Sequence, residues 1–231
     1  MPRTSTPDRT ERATGASLLA VVLVTICFAA MVALHVVRTD LDPVRDVMSS
    51  YANGRYGYLM TAAFYAFGVS AVVLAIRLGR AMARRPLTVV VRVLLALGGV
   101  GLVLAGIFEV ERPAVPDTIE EVIHSDATLT AFSLIITAML VFAAVCRRDP
   151  RWVDFSGIAL GLAVVAALAG AFSPFAGQTP VNGIAQRVLG LAVVMWLVLT
   201  ALHIRLGGFR RTRPIASARA PGDGPGGGAT I

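Results

Sequence analysis

Six long apolar runs alternate with short polar stretches along this chain. They are Ala16–Val37, Tyr58–Ile76, Leu87–Phe108, Ala127–Cys146, Phe155–Phe172 and Ile184–Ile204. A hydrocarbon core about 30 Å thick needs about 20 helical residues, and each run is near that length. Arg92 and Arg187 are the only Asp, Glu, Lys or Arg inside the runs, each near one end of its run. The pattern predicts an all-α fold, a polytopic bundle of six transmembrane helices. Residues 16–204 form the membrane domain, 1–15 a polar N-terminal segment, and 205–231 a tail rich in Arg, Gly and Pro that is expected to be disordered. The first run is long for the apolar core of a signal peptide, so an uncleaved first helix is expected. Gly157-x-x-x-Gly161 and Ala166-x-x-x-Gly170 have spacings that let helix backbones approach. The expectation is packing within the chain rather than between copies.

Composition agrees with the pattern. Hydrophobic residues make up 56% of the chain and charged residues 15%, where a soluble domain carries about 25% charged. Mean hydropathy is +0.73. An ordinary soluble enzyme, a disordered protein and a secreted disulfide scaffold are excluded. All 21 basic residues are arginine, which excludes a lysine Schiff base. Cys27 and Cys146 are too few and too far apart for a disulfide framework, a redox pair or a zinc site, and read as small buried hydrophobes.

The charge decides orientation. The net charge is +7, and the arginines flank apolar runs, so the membrane explains them and no nucleic-acid partner is expected. Placing both termini in the cytoplasm puts 16 arginines and 5 acids inside, and 5 arginines and 9 acids outside. The expectation is therefore a multi-pass protein of the cell inner (plasma) membrane with both termini cytoplasmic, in contact with membrane lipids.

The first two outer loops carry the candidate chemistry. In the first, Asp42-Pro43 reads as a helix start. Val44, Val47, Met48 and Tyr51 then form one apolar stripe, and Asn53-Gly54 a stop. A short amphipathic helix carrying Ser49 and Ser50 is expected. All four tyrosines lie between Tyr51 and Tyr65, as an interfacial belt or as ligand-stacking rings. In the second loop, Asp117-x-x-Glu120 resembles a capping box, so the fourth helix should begin near Thr118. His124 then lies within reach of Glu120 or Glu121, as an oriented general base requires, or as an ordinary exposed pair. Asp126, Thr130, Ser133 and Thr137 form a polar stripe down the same helix, either a packing seam or a cavity wall. His124 and Asp126 fall on nearly opposite faces, which ranks His124 first. Arg187 opens the sixth helix, where it can snorkel or pair with Glu109 or Glu111 at the end of the third.

Several of these stretches carry a family resemblance. Ser49-Ser50-Tyr51 followed by Gly54-Arg55-Tyr56-Gly57-Tyr58-Leu59-Met60, then Phe108-x-x-Glu111, His124, and Gly183-Ile184-x-Gln186-Arg187 with Trp196 resemble the six-helix bacterial and archaeal membrane family catalogued as domain of unknown function 998. The resemblance runs from Leu18 to Ile204. The family pattern has Ser-x-Tyr after the first helix, Asp near the end of the third, His opening the fourth and Gln/Glu-Arg opening the sixth. Glu111 stands here in place of that Asp. The resemblance implies which residues matter and names no reaction.

Four roles follow. The first is a membrane-embedded hydrolase or transferase on a lipid-like substrate. Its catalytic candidates are His124, Glu111, Ser50 and Ser49, and its substrate-binding candidates are Arg187, Gln186 and Tyr51. The second is a lipid or small-molecule binding or transport protein without chemistry; no charge lies well inside a span, which argues against ion coupling. The third is a redox protein with haem between His35 and His124. The fourth is an accessory protein of the envelope. Sequence alone does not name a cofactor, a metal or an oligomeric state.

Overall fold

The computed structural model describes residues 9–108, 118–176 and 181–206. Six helices run in chain order: α1 (Arg9–Val37), α2 (Gly57–Ala81), α3 (Pro86–Ile107), α4 (Ile119–Cys146), α5 (Ser156–Ala176) and α6 (Asn182–Arg205). All six are long and apolar enough to cross a membrane, and no strand occurs among the described residues. α1 starts at Arg9, inside the segment expected to precede the bundle. The basic tail beyond residue 206 lies outside the described residues.

Local sequence explains the helix ends. α4 starts where expected, and Thr118 caps it, its hydroxyl accepting from the Glu121 N–H at 3.3 Å. The capping role falls to Thr118; Asp117 lies outside the described residues. Pro86 opens α3, where its missing N–H costs nothing. No proline interrupts α2, α4 or α6.

Each helix packs against its neighbours in the chain, and α6 closes the ring against α1. The ring has two ends. The distal end holds the α1–α2 loop, the last residues of α3 and the first of α4 and α6; the terminal end holds the first residues of α1 and the last of α6. α2, α3 and α4 pack tightest. A Cβ on Gly99 would sit 2.6 Å from the Gly68 carbonyl oxygen, and one on Gly98 would sit 2.6 Å from Ile135. Only glycine admits such approach. Gly170 fits its expected packing role, since a Cβ there would meet Ile136 at 2.9 Å. Gly157 and Gly161 do not: added Cβ atoms would meet nothing. Large apolar side chains such as Val100, Leu97 and Leu168 face outward and are more than half exposed, as lipid contact requires.

The terminal end is filled with rings. Phe142 packs edge-on against Trp152 and Trp196, with centroids 5.4 and 5.2 Å away, and Phe155 stacks on His203 at 5.0 Å. The distal end is hollow.

Candidate functional site

The site is built on the loop between α1 and α2. Arg38 follows α1 and holds Asp40 through two hydrogen bonds of 2.8 Å, from Nε and Nη2. Its Nη1 donates to the carbonyls of Asn53 and Arg55 at the far end of the loop. These bonds hold the Asp40 carboxyl below the usual carboxylate range and raise Arg38. Asp42 then organises a single turn: its side chain accepts from the Val44 N–H at 2.8 Å, and its carbonyl accepts from Arg45 and Asp46.

The expected amphipathic helix is reduced to a 3-10 turn at Met48–Ala52. Val47 is extended, with φ −65° and ψ 151°, and the preceding carbonyls are spent elsewhere. Val44 O accepts from the Ile184 N–H at 3.3 Å and Asp46 O from Arg187 at 2.9 Å. The carbonyls of Val44 and Asp46 thus bond to α6 instead of continuing a helix. Asn53-Gly54 does end the turn, with Gly54 at φ +76°.

Gly183, Gln186 and Arg187 form the α6 side of this contact. A Cβ on Gly183 would fall 2.6 Å from the carbonyl oxygens of both Pro43 and Asp46, so the loop can lie on α6 only over a glycine. Gln186 Oε1 accepts the Met48 N–H at 2.9 Å. Arg187 donates from Nη1 to Asp46 O and Gly183 O, both at 2.9 Å, and from Nη2 to the Tyr51 hydroxyl at 3.3 Å. Its Nε donates to His35 Nε2 at 2.8 Å. Every partner of Arg187 among the described residues is uncharged; the expected pair is with Glu109 or Glu111. Glu109 and Glu111 lie outside the described residues.

His35 and Tyr51 complete the latch. His35 Nδ1 lies 2.6 Å from the Met31 carbonyl, so Nδ1 carries the proton and Nε2 is the acceptor Arg187 needs. Both ring nitrogens are engaged, and neither is open to haem iron. Tyr51 is fully buried, stacked on His35 at 4.9 Å and lying under the Arg187 guanidinium at 5.6 Å. It is thus a core ring of the latch. Tyr58 and Tyr65 are exposed and suit an interfacial belt.

His124 is held differently from expectation. Its Nδ1 lies 2.8 Å from Ala105 O in the last turn of α3 and 3.2 Å from Phe108 O just beyond it, where a helix end leaves carbonyls without helical partners. Neither Glu120 nor Glu121 bonds to it; the ring turns inward against Phe64 and is 4% exposed. With Nδ1 donating, Nε2 is an acceptor, and it has no partner among the described residues. Asp126, on another face of α4, is exposed.

These residues border a cavity of about 1010 Å³. His35, Ser49, His124, Asn182, Gln186 and Arg187 line its polar end. Phe28, Phe67, Phe132, Ile136 and Val194 line the apolar remainder. The wall runs from His124 to Thr137, about 20 Å along α4 at the helical rise per residue. Phe28, Leu129 and Leu191 are about half exposed, so the cavity opens to the surface. Ser49 lines it and Ser50 does not. Of the predicted polar stripe, Ser133 and Thr137 line it, whereas Asp126 and Thr130 do not; Ser125 and Thr128 take their place. Thr128 Oγ1 and Asn182 Oδ1 are buried without a partner. Orphaned atoms of this kind mark places where a water or ligand group completes the site.

Sequence reasoning missed His35 as the acceptor for Arg187, and missed Thr128 and Asn182. Only the position of His35 at the end of the first run signalled it. Among the described residues no group of three or more His, Cys, Asp or Glu could hold a metal. A family model described as a protein of unknown function, DUF998, matches residues 18–203. No curated protein and no solved structure matches the chain.

Proposed function

The chain belongs to the DUF998 family, and from that premise we propose that this integral membrane protein receives a lipid-like amphiphile in its distal cavity. The cavity itself carries this reading. It is long and open, with largely aromatic and aliphatic walls and its arginine, histidines and amides gathered at one end, the hydroxyls of Ser133 and Thr137 lying further along α4. Ligand sites have this form: mostly apolar linings with a few placed polar groups. An apolar chain would lie along Phe67, Phe132 and Ile136, with its head near Ser49, Gln186 and Arg187. The arginine bias supports a distal end facing away from the cytoplasm in the plasma membrane, so the head would sit at the outer leaflet.

Native mass spectrometry after gentle release from membranes tests the reading. The wild-type protein should retain a lipid-sized mass, and Ser133→Trp, which fills the cavity from an exposed wall position, should lose it. Equal retention by both, or by neither, would contradict the reading.

A second reading, hydrolysis or transfer on the bound molecule, is favoured by His124. Two carbonyls fix its ring, and its acceptor nitrogen is left unpartnered, as in an oriented general base. Ser49 is a candidate nucleophile by its place on the cavity wall. No hydrogen bond joins the two among the described residues, so the base would act on a water or a ligand hydroxyl. His124→Ala should then abolish turnover of a bound ester or phosphoester, a loss far beyond its weakening of binding; retained turnover would contradict catalysis.

A further inference from the structure

The donors and acceptors at the polar end of the cavity are unequally used. Gln186 Oε1 is taken by the Met48 N–H, which fixes the amide orientation and leaves its NH2 group to donate. His35 Nε2 is taken by Arg187, and His35 Nδ1 by Met31 O. The Arg187 guanidinium has five N–H groups. Four go to His35, Asp46 O, Gly183 O and Tyr51; one on Nη2 remains. The hydroxyls of Ser49, Ser125 and Thr128 line the same space, and Thr128 Oγ1 is buried without a partner. Donors therefore dominate what is left for a ligand.

Charge points the same way. Among the described residues Arg187 makes no ion pair and no Asp or Glu lines the cavity. Its four partners are neutral, so its positive charge is oriented but not offset. Low-dielectric walls strengthen the field of such a charge, and an unpaired charge in apolar surroundings is costly. A cationic head would add to that cost. An oxyanion would remove it and meet the unused donors with charge-assisted bonds.

The geometry points to an amphiphile whose head is an oxyanion, a phosphate or a carboxylate, seated against Arg187 and Gln186 with its chain down the apolar wall. This rests on the reading that the cavity takes an amphiphile. Two acceptors remain beside these donors, His124 Nε2 and the buried Asn182 Oδ1, and either would take a hydrogen bond from a hydroxyl or protonated oxygen on the head.

The test uses the full chain in phosphatidylcholine nanodiscs, with displacement of a fluorescent single-chain amphiphile as readout. The probes share one chain: dodecyl phosphate, dodecanoate, dodecyl glucoside and dodecyltrimethylammonium. Inorganic phosphate serves as the chain-free control. The two oxyanion heads should bind at least about tenfold tighter than the neutral and cationic heads. Inorganic phosphate should displace the probe only at far higher concentration. Arg187→Gln should bring all four chains within about threefold of one another. Because Arg187 also holds the loop, Thr128→Val provides a milder variant, which should weaken the oxyanion heads alone. Equal binding of all four chains by the wild type, or tighter binding of the cation, overturns the head assignment and leaves amphiphile binding standing. Inorganic phosphate as tight as dodecyl phosphate, or no binding of any chain, overturns the amphiphile reading itself.

Discussion

The two ends of the bundle use the same device for different purposes. At the terminal end, His203 Nε2 lies 3.1 Å from Arg151 O and ties α6 to the α4–α5 connection. At the distal end, His124 Nδ1 reaches Ala105 O and Phe108 O and ties α4 to α3. Around His203 the space is packed with Trp152 at 4.4 Å and Phe155 at 5.0 Å. Around His124 the ring meets Phe64 edge-on, and the residue also borders the cavity. A histidine bonded to backbone carbonyls is thus a clamp at either end. What makes one of them a candidate for function is the volume beside it.

This contrast can be broken by substitution. Trp196→Ala should have the largest effect, a loss of about 3–5 kcal/mol from a fully buried ring. Folded Trp196→Ala protein should still bind the amphiphile with wild-type affinity; reversible unfolding together with probe displacement measures both. Gly183→Ala comes next, at about 1–3 kcal/mol, because the new methyl would meet the carbonyls of Pro43 and Asp46. It should also loosen the loop from α6 and weaken binding, with proteolysis of the loop as the readout.

A matched pair sharpens the comparison. His203→Ala and His124→Ala each remove one clamp and should each cost about 1–3 kcal/mol. Only His124→Ala should alter ligand binding. Equal effects on binding would erase the distinction between the ends.

The smallest effect is that of acid. Asp40 sits beside Arg38, which holds its folded pKa below the unfolded value near 3.9. The stabilisation it gives is full above that value and fades as pH falls through the folded one. Asp40 is largely exposed, with 62% of its side chain accessible, so solvent screening keeps the effect slight. Asp149 is lowered in the same sense by Arg151 and is better covered, at 15%. Acid should therefore loosen the distal loop with less loss of stability than the terminal turn, and amide hydrogen exchange between pH 5 and 3 would order the two.

How much of this the sequence reveals depends on whether the cause is local. Span length and apolarity are local, so all six helices were legible, as was the Thr118 start of α4. Orientation on a helix is local too, which is why His124 could be ranked above Asp126. The Arg187 partners were not legible: His35 lies 152 residues away, and nothing in its own neighbourhood marks it as an acceptor. The loop was misread for the same reason. Its stripe fits a helix, but its carbonyls are recruited by α6 across the fold. Gly157-x-x-x-Gly161 failed because spacing alone does not say which face meets a neighbour.

The most direct test of the central claim is photocrosslinking with a single-chain phosphate amphiphile carrying a diazirine at its chain end, followed by peptide mass spectrometry. Adducts should map to Phe67, Phe132 and Ile136 inside the cavity and disappear in Ser133→Trp. Adducts confined to outward-facing positions such as Val100 and Leu168, unchanged in that variant, would contradict the claim that the cavity holds an amphiphile.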